Sequence, residues 1–286
     1  MKKIIFIIFA FLCLENSFAD SNKLNIFVSI MPQKYFAEQI GGEKVNVSVL
    51  VPSGTSPENF DPSPKQIIRL GSSDIYFTMG IPFEHMFLDK LSSGKNKFIV
   101  AECDKDIPKM KGHDEHNHGH DHGEFDPHIW MSPDNAKLIA SNMADTLKRT
   151  DSVNAGYYEK NLEDFCMKMD KLSSDISTML APHKGRTFYV YHSAYTYFAE
   201  RFGLIQESIE TGEKEPTPAK LRDIVKDAKE ENIRIILIQP EFPAVGAARV
   251  AQAIGGRVVT SSVLEFNYPE NLLKTARILS DSFGEK

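Results

Sequence analysis

One long segment restricts the fold more than any other feature. Residues 153–180 contain no proline and a single glycine, Gly156, and Leu162, Phe165, Met169, Leu172 and Ile176 recur at spacings of three or four. That period is the signature of an amphipathic helix, here about 40 Å long at roughly 1.5 Å per residue. The chain on either side follows a different rule. Short apolar runs at 24–30, 45–51, 74–79 and 98–101 precede the segment, and runs at 187–191, 233–238 and 258–260 follow it. Helical patterns at 64–70, 134–147, 218–230 and 247–254 lie between these runs. Nearly continuous Val, Ile, Phe and Tyr runs are what strands covered on both faces require, and their alternation with helices predicts an α/β fold with parallel-type sheets. A long helix between two such halves reads as a stiff connector; the plainer reading is a core helix of one domain.

The halves echo one another. Pro62-Ser63-Pro64 opens a helix before the run at 74–79, and Pro216-Thr217-Pro218 opens one before the run at 233–238. Proline in a first helical turn costs little, because that N–H has no helical partner. The predicted organisation is a signal peptide at 1–19, an N-terminal α/β lobe at 20–150, a connecting helix at 151–182 and a similar C-terminal α/β lobe at 183–286.

The signal peptide is read from Lys2 and Lys3, an apolar run at 4–14, and Ser17-Phe18-Ala19. The run is too short for a membrane span of roughly 20 residues. Cys13 follows Leu12, which is not the small residue a lipid-anchor site wants. Secretion into a periplasm is therefore expected. Losing Lys2, Lys3 and Glu15 takes the formal charge from −6 to −7, an acidic balance that argues against a nucleic-acid partner. Cys103 and Cys166 remain after cleavage and are expected to be two unpaired, buried thiols.

Residues 109–124 are of low complexity and hold five of the nine histidines, His113, His116, His118, His120 and His122, interleaved with Asp114, Glu115 and Asp121. The stretch has no hydrophobic period and reads as a loop. Neutral imidazole is a common zinc ligand, and spacings of two let several rings reach one ion. Ordering such a loop costs entropy, so it reads as an accessory collector of modest affinity.

Three better-placed candidates lie in loops after predicted strands. His128 stands in Asp126-Pro127-His128-Ile129-Trp130, ahead of a helix start at Ser132-Pro133-Asp134; Trp130 is the only tryptophan. His192, in Tyr191-His192-Ser193-Ala194-Tyr195, ends the run at 187–191. Glu58 lies in Ser56-Pro57-Glu58-Asn59-Phe60-Asp61-Pro62-Ser63-Pro64, after the run at 45–51. Singly, a strand-end histidine is more often bonded to a carbonyl, and a loop glutamate is more often solvated. Ligands of parallel α/β sheets nevertheless gather outside the carboxyl ends of strands. These three residues, drawn from both halves, are expected to surround one interlobe cleft.

These residues resemble a known family. The stretch 126–130 looks like its DPHxW motif, His192 with Ser193-Ala194-Tyr195 like its second histidine motif, and 57–64 like its first ligand loop. The family is the zinc/manganese substrate-binding proteins of ABC importers, ZnuA/TroA-like. The resemblance covers the whole mature chain. It implies two α/β lobes joined by one long rigid helix, a metal site in the cleft, and a membrane permease as partner. A His-rich acidic loop beside DPHxW often accompanies zinc as cargo, so Zn2+ is the expected ion and Mn2+ the second choice. Two departures stand out: the family's first histidine falls on Glu58, and its C-terminal aspartate falls on Ser262. The fourth ligand is thus left open among Glu265, another acid and water.

The expectation is capture without catalysis by a monomer, with Glu58, His128 and His192 as ligands in a four-coordinate mix that suits zinc. Protons compete for the histidines, so binding should weaken as pH falls through about 6.5. Two alternatives remain. A secreted zinc hydrolase would also use two histidines and a carboxylate, but the chain has no His-Glu-x-x-His helix motif. A metal-dependent surface adhesin is the other.

Overall fold

The structure, a computed structural model, describes residues 23–92, 98–112, 125–210 and 216–285. The expected signal peptide and the five tract histidines lie outside the described residues. In chain order the first half runs β1 (Leu24–Val28), α1 (Met31–Gly41), β2 (Val45–Val49), α2 (Pro64–Leu70), β3 (Ile75–Thr78), α3 (Pro82–Ser92), β4 (Ile99–Glu102) and α4 (Pro133–Thr150). Then comes the long helix α5 (Ala155–Leu180). The second half runs β5 (Thr187–Val190), α6 (Thr196–Phe202), β6 (Ile205–Ser208), α7 (Pro218–Glu230), β7 (Ile235–Ile238), α8 (Ala244–Ile254), β8 (Arg257–Thr260) and α9 (Tyr268–Gly284).

Each half builds one four-stranded sheet, in the orders β2-β1-β3-β4 and β6-β5-β7-β8, and every pairing is parallel. The two orders are the same permutation, so the weak echo in the sequence marks two lobes of one topology. The innermost strands are the most apolar: all four residues of β3 and of β7 are buried. The edges are not, and Ile99 and Ile205 are about half exposed. β6 has the sequence IQES and carries too little apolar signal to be read as a strand; its pairing with β5 makes it one.

Helix α5 starts after a 3-10 turn, Ser152–Asn154, and gives way to another, Ala181–His183, where Pro182 sits. Its buried face is Tyr158, Phe165, Met169, Leu172, Ser173, Ile176 and Leu180, which continues the predicted stripe. It packs on α1 and α4 of the first half and on α9 of the last. Phe36, Phe165 and Tyr268 meet edge to face, with centroids 5.6 and 4.9 Å apart, and so tie α1, α5 and α9 together. The apolar core is continuous from β1 through α5 to α9. The connector is therefore also part of the core, packed against both halves and not against one alone. Cys103 is buried as expected, but Cys166, on α5, is only partly buried; both are free.

One buried carboxylate shapes the ground beneath the site. Glu84, in the first turn of α3, accepts from the N–H groups of Met79, Gly80 and Ile81 and from the Ser29 hydroxyl. Burial pushes its pKa up to about 7, against those four donors. Gly80 has φ +78°, and a Cβ there would meet Asp104 Oδ2 at 2.6 Å, so this turn needs glycine. The turn seats Phe83 edge-on against Phe60, with centroids 5.3 Å apart, close to Glu58 in the chain. No helix among the described residues is long and apolar enough to cross a membrane.

Candidate metal centre

Each ligand candidate is held by its own local device. Glu58 sits in the loop between β2 and α2. Its N–H donates to Ser56 Oγ at 3.3 Å, and the loop's end is fixed by a capping box in which the Gln66 side chain accepts from Ser63 N at 2.9 Å. Gln66 also donates to the Leu50 carbonyl, 2.7 Å away, closing the loop onto the strand end.

His128 is set by an Asx turn. Asp126 Oδ1 accepts both the backbone N–H of His128 and its ring Nδ1, each at 2.8 Å. The next residues lock that turn against the other lobe. Trp130 Nε1 donates to the Val263 carbonyl at 2.8 Å, and the hydroxyls of Tyr268 and Tyr197 donate to the carbonyls of Trp130 and Asp126 at 2.7 and 3.0 Å. Trp130 is 1 % exposed, and burying an indole of 150–250 Å² contributes roughly 4–6 kcal/mol before entropy.

His192 leaves the carboxyl end of β5. Its carbonyl accepts from Gln239 Nε2 at 2.9 Å, and its ring lies nearly parallel to Phe242, 4.7 Å between centroids. Nδ1 bonds Glu210, at the end of β6.

With both Nδ1 atoms engaged by carboxylates, Nε2 is the nitrogen of each imidazole left to turn toward an ion, the arrangement that fixes a ligating tautomer. One ligand atom each from Glu58, His128 and His192 lies within 4.8 Å of the other two. Ligands around tetrahedral zinc stand roughly 3.3 Å apart when bonds are about 2.0–2.1 Å, so an ion needs only small adjustments here. His192 Nε2 lies 2.6 Å from Glu58 Oε1 in a buried ion pair, closer than two ligands of one ion stand.

The electrostatics follow from this packing. Burial works against a charged His192 ring, but hydrogen bonds and charge from Glu210 and Glu58 outweigh it and push the pKa up to about 10. Burial also opposes ionisation of Glu58 and Asp126, and there the histidines win: His192 holds Glu58, and His128 holds Asp126, below the usual carboxylate range. The proton competition expected near pH 6.5 is thereby moved upward at His192, because two carboxylates grip one ring.

The three ordered candidates converge. Ser262 is buried and its hydroxyl accepts from Leu264 N, while Glu265 is exposed and does not line the pocket. Three residues that sequence reasoning did not assign stand around the ligands. Asp126 was legible, two residues ahead of His128 in the motif. Glu210 was hidden because β6 was hidden. Gln239 is the one polar residue closing the apolar run of β7, at a strand's carboxyl end. Replacing Glu210 by glutamine should weaken metal binding about 10- to 100-fold, the usual loss for a residue that orients a ligand. A chelator competition titration reads this directly, and unchanged affinity would show that Glu210 does not orient the ring.

The model of the family described as zinc-uptake complex component A, periplasmic (ZnuA), matches residues 26–281. The high-affinity zinc uptake system protein ZnuA of Bacillus subtilis is 29% identical over 86% of this chain and 81% of its own length. The zinc-binding lipoprotein AdcA of Streptococcus pneumoniae is 28% identical over 90% of this chain, which spans about half (53%) of that longer protein. A crystal structure of ZnuA, 31% identical, superposes with a TM-score of 0.85 over 91% of this chain and 99% of its own. The laminin-binding protein Lmb of Streptococcus agalactiae, described as a bifunctional protein with adhesin and metal transporting activity, is 25% identical, with a TM-score of 0.81 over 91% of this chain and 99% of its own. On the family match and the shared two-lobed fold, this chain belongs to the zinc-uptake complex component A (ZnuA) family.

Proposed function

We propose that the protein captures one transition-metal ion, zinc, outside the cytoplasm and hands it to the membrane permease of an ABC importer, without catalysis. The observation that carries this reading is the meeting of Glu58, His128 and His192 in one buried pocket between the lobes. On this reading residues 1–19 direct secretion to the periplasm. Residues 20–150 and 183–286 are the two lobes, and 151–182 hold them at a set spacing. The donor set is two imidazoles and one carboxylate, with each imidazole backed by a second carboxylate. It suits zinc better than manganese, which favours oxygen-rich octahedra. A cavity of about 790 Å³ beside the pocket is lined by Glu58, Phe60, Phe83, Met86, Phe125 and Asp126. Glu58 lines both spaces, so its carboxylate joins the cavity to the pocket.

The test is competitive metal titration of the mature protein and of a variant lacking 113–124. The expected outcome is one tight zinc site in both, at least tenfold tighter than for manganese, with weaker additional binding only in the intact chain. Loss of the tight site with the tract would move the principal centre to the tract. Zinc-dependent turnover of an ester, amide or phosphoester would favour the hydrolase instead.

A further inference from the structure

Gln239 is 1 % exposed and lines the same small pocket as Glu58, His128 and His192. Its Nε2 is committed to the His192 carbonyl, which can only accept, so the opposite end of the amide must be the oxygen. That Oε1 is buried and has no hydrogen-bond partner. An orphaned buried acceptor costs about 1–3 kcal/mol, a penalty that is relieved if a donor arrives with the ligand.

Among the described residues, no other ionisable side chain joins the three as a fourth ligand. The Ser262 hydroxyl accepts from Leu264 N, and Glu265 is exposed and does not line the pocket. Glu241, half-buried, also lines the pocket, but its carboxyl, raised by burial and by Glu265, is not a member of the cluster. Gln239 itself is a poor direct ligand, since zinc selects thiolate, imidazole and carboxylate. The pocket volume of about 10 Å³ is near that of a single solvent sphere. Glu58 and His192 stand closer than two ligands of one ion do, so metal entry would part them and widen the space.

Resting on the metal-capture reading above, we infer that the fourth ligand of the bound ion is a water, and that Gln239 Oε1 accepts its hydrogen bond. Gln239 is then a positioning residue. It holds the water on the ion from the C-terminal lobe while its other end holds the backbone of His192. The pairing favours an ion that keeps one water in a four-coordinate site, and it couples the ion to the strand end that carries the second histidine.

The experiment uses the full mature chain with Gln239→Leu and Gln239→Glu, read by zinc affinity under chelator competition and by the visible spectrum of the Co2+-loaded protein. Leucine removes both ends of the amide. Glutamate keeps an acceptor toward the water but loses the donor to His192. The expected result is a roughly 10- to 100-fold loss of zinc affinity and an altered Co2+ spectrum for Gln239→Leu. Gln239→Glu should retain affinity at or above the parent. Equal losses in both variants, with an unchanged Co2+ spectrum, would assign Gln239 a purely structural hold on His192 and overturn the inference. Parental behaviour of Gln239→Leu would overturn it as well. If instead the parent shows no tight zinc site, the capture reading fails first, and the parent titration separates the two cases.

Discussion

Replacing His128 by alanine is expected to weaken zinc binding by roughly 100- to 1,000-fold while the protein stays folded. Structural zinc sites carry about 10–16 kcal/mol spread over four ligands, so one nitrogen accounts for about 3–4 kcal/mol, at 1.4 kcal/mol per decade of affinity. The fold should survive because the contacts that lock this segment to the C-terminal lobe belong to its neighbours. Trp130 donates to Val263, Tyr197 to the Asp126 carbonyl and Tyr268 to the Trp130 carbonyl. The Asx turn also survives, since Asp126 Oδ1 still accepts the backbone N–H at position 128. Glu58→Ala should lose comparably, and Glu58→His should keep most of the affinity by restoring the imidazole usual in the family. Chelator competition, with circular dichroism to confirm the fold, reads all three variants. A His128→Ala protein that binds zinc as tightly as the parent would remove this site from consideration.

The second large effect is on pH. His192 has its pKa pushed up to about 10 in the metal-free fold, whereas an ordinary histidine titrates near 6.5. Its Nδ1 faces Glu210, so the extra proton sits on Nε2, toward Glu58, where the ion must bind. Between about pH 6.5 and 10 each zinc ion should therefore displace close to one proton from this ring. Affinity should rise by up to tenfold per pH unit across that window and flatten above it. Glu58 adds no proton there, because its own pKa is lowered and it stays ionised. The stability of the metal-free protein has the opposite slope. A raised histidine pKa contributes stability that is fully present below about 6.5 and is lost as pH rises through about 10. Calorimetric zinc titrations in two buffers of different ionisation heat, near pH 7.5, count the protons. Finding none released would mean that His192 is already neutral and that the two carboxylates do not hold it as described.

Much of the architecture was legible because its signals are local. Helices at 64–70 and 218–230 were readable to the residue, since each begins at a proline behind a capping side chain, Ser63 or Thr217. The long helix was readable from a stripe repeated over its whole length. β6 was not, because Gln206, Glu207 and Ser208 give no apolar run, and an edge strand is defined by its neighbour. Missing β6 meant missing Glu210, and with it the reason for the shifted titration of His192. The three candidate ligands were legible for another reason. Strand ends in a parallel sheet all open toward one side, so knowing the strands is nearly enough to place the loops after them.

By itself the sequence determined the alternation of strands and helices and the connector, and it picked out the candidate donors, two imidazoles and a carboxylate. All of these are encoded in spacings of a few residues. Only the tertiary structure decided which nitrogen of each ring is held by a carboxylate, which carboxylate holds it, and in which direction the His192 pKa moves. Those properties depend on contacts such as Trp130 to Val263, 133 residues apart in the chain, and Glu58 to His192 across the cleft. No local period records such a contact, because what creates it is burial: water is excluded, charges interact at short range, and every polar atom left inside must find a partner or wait for a ligand.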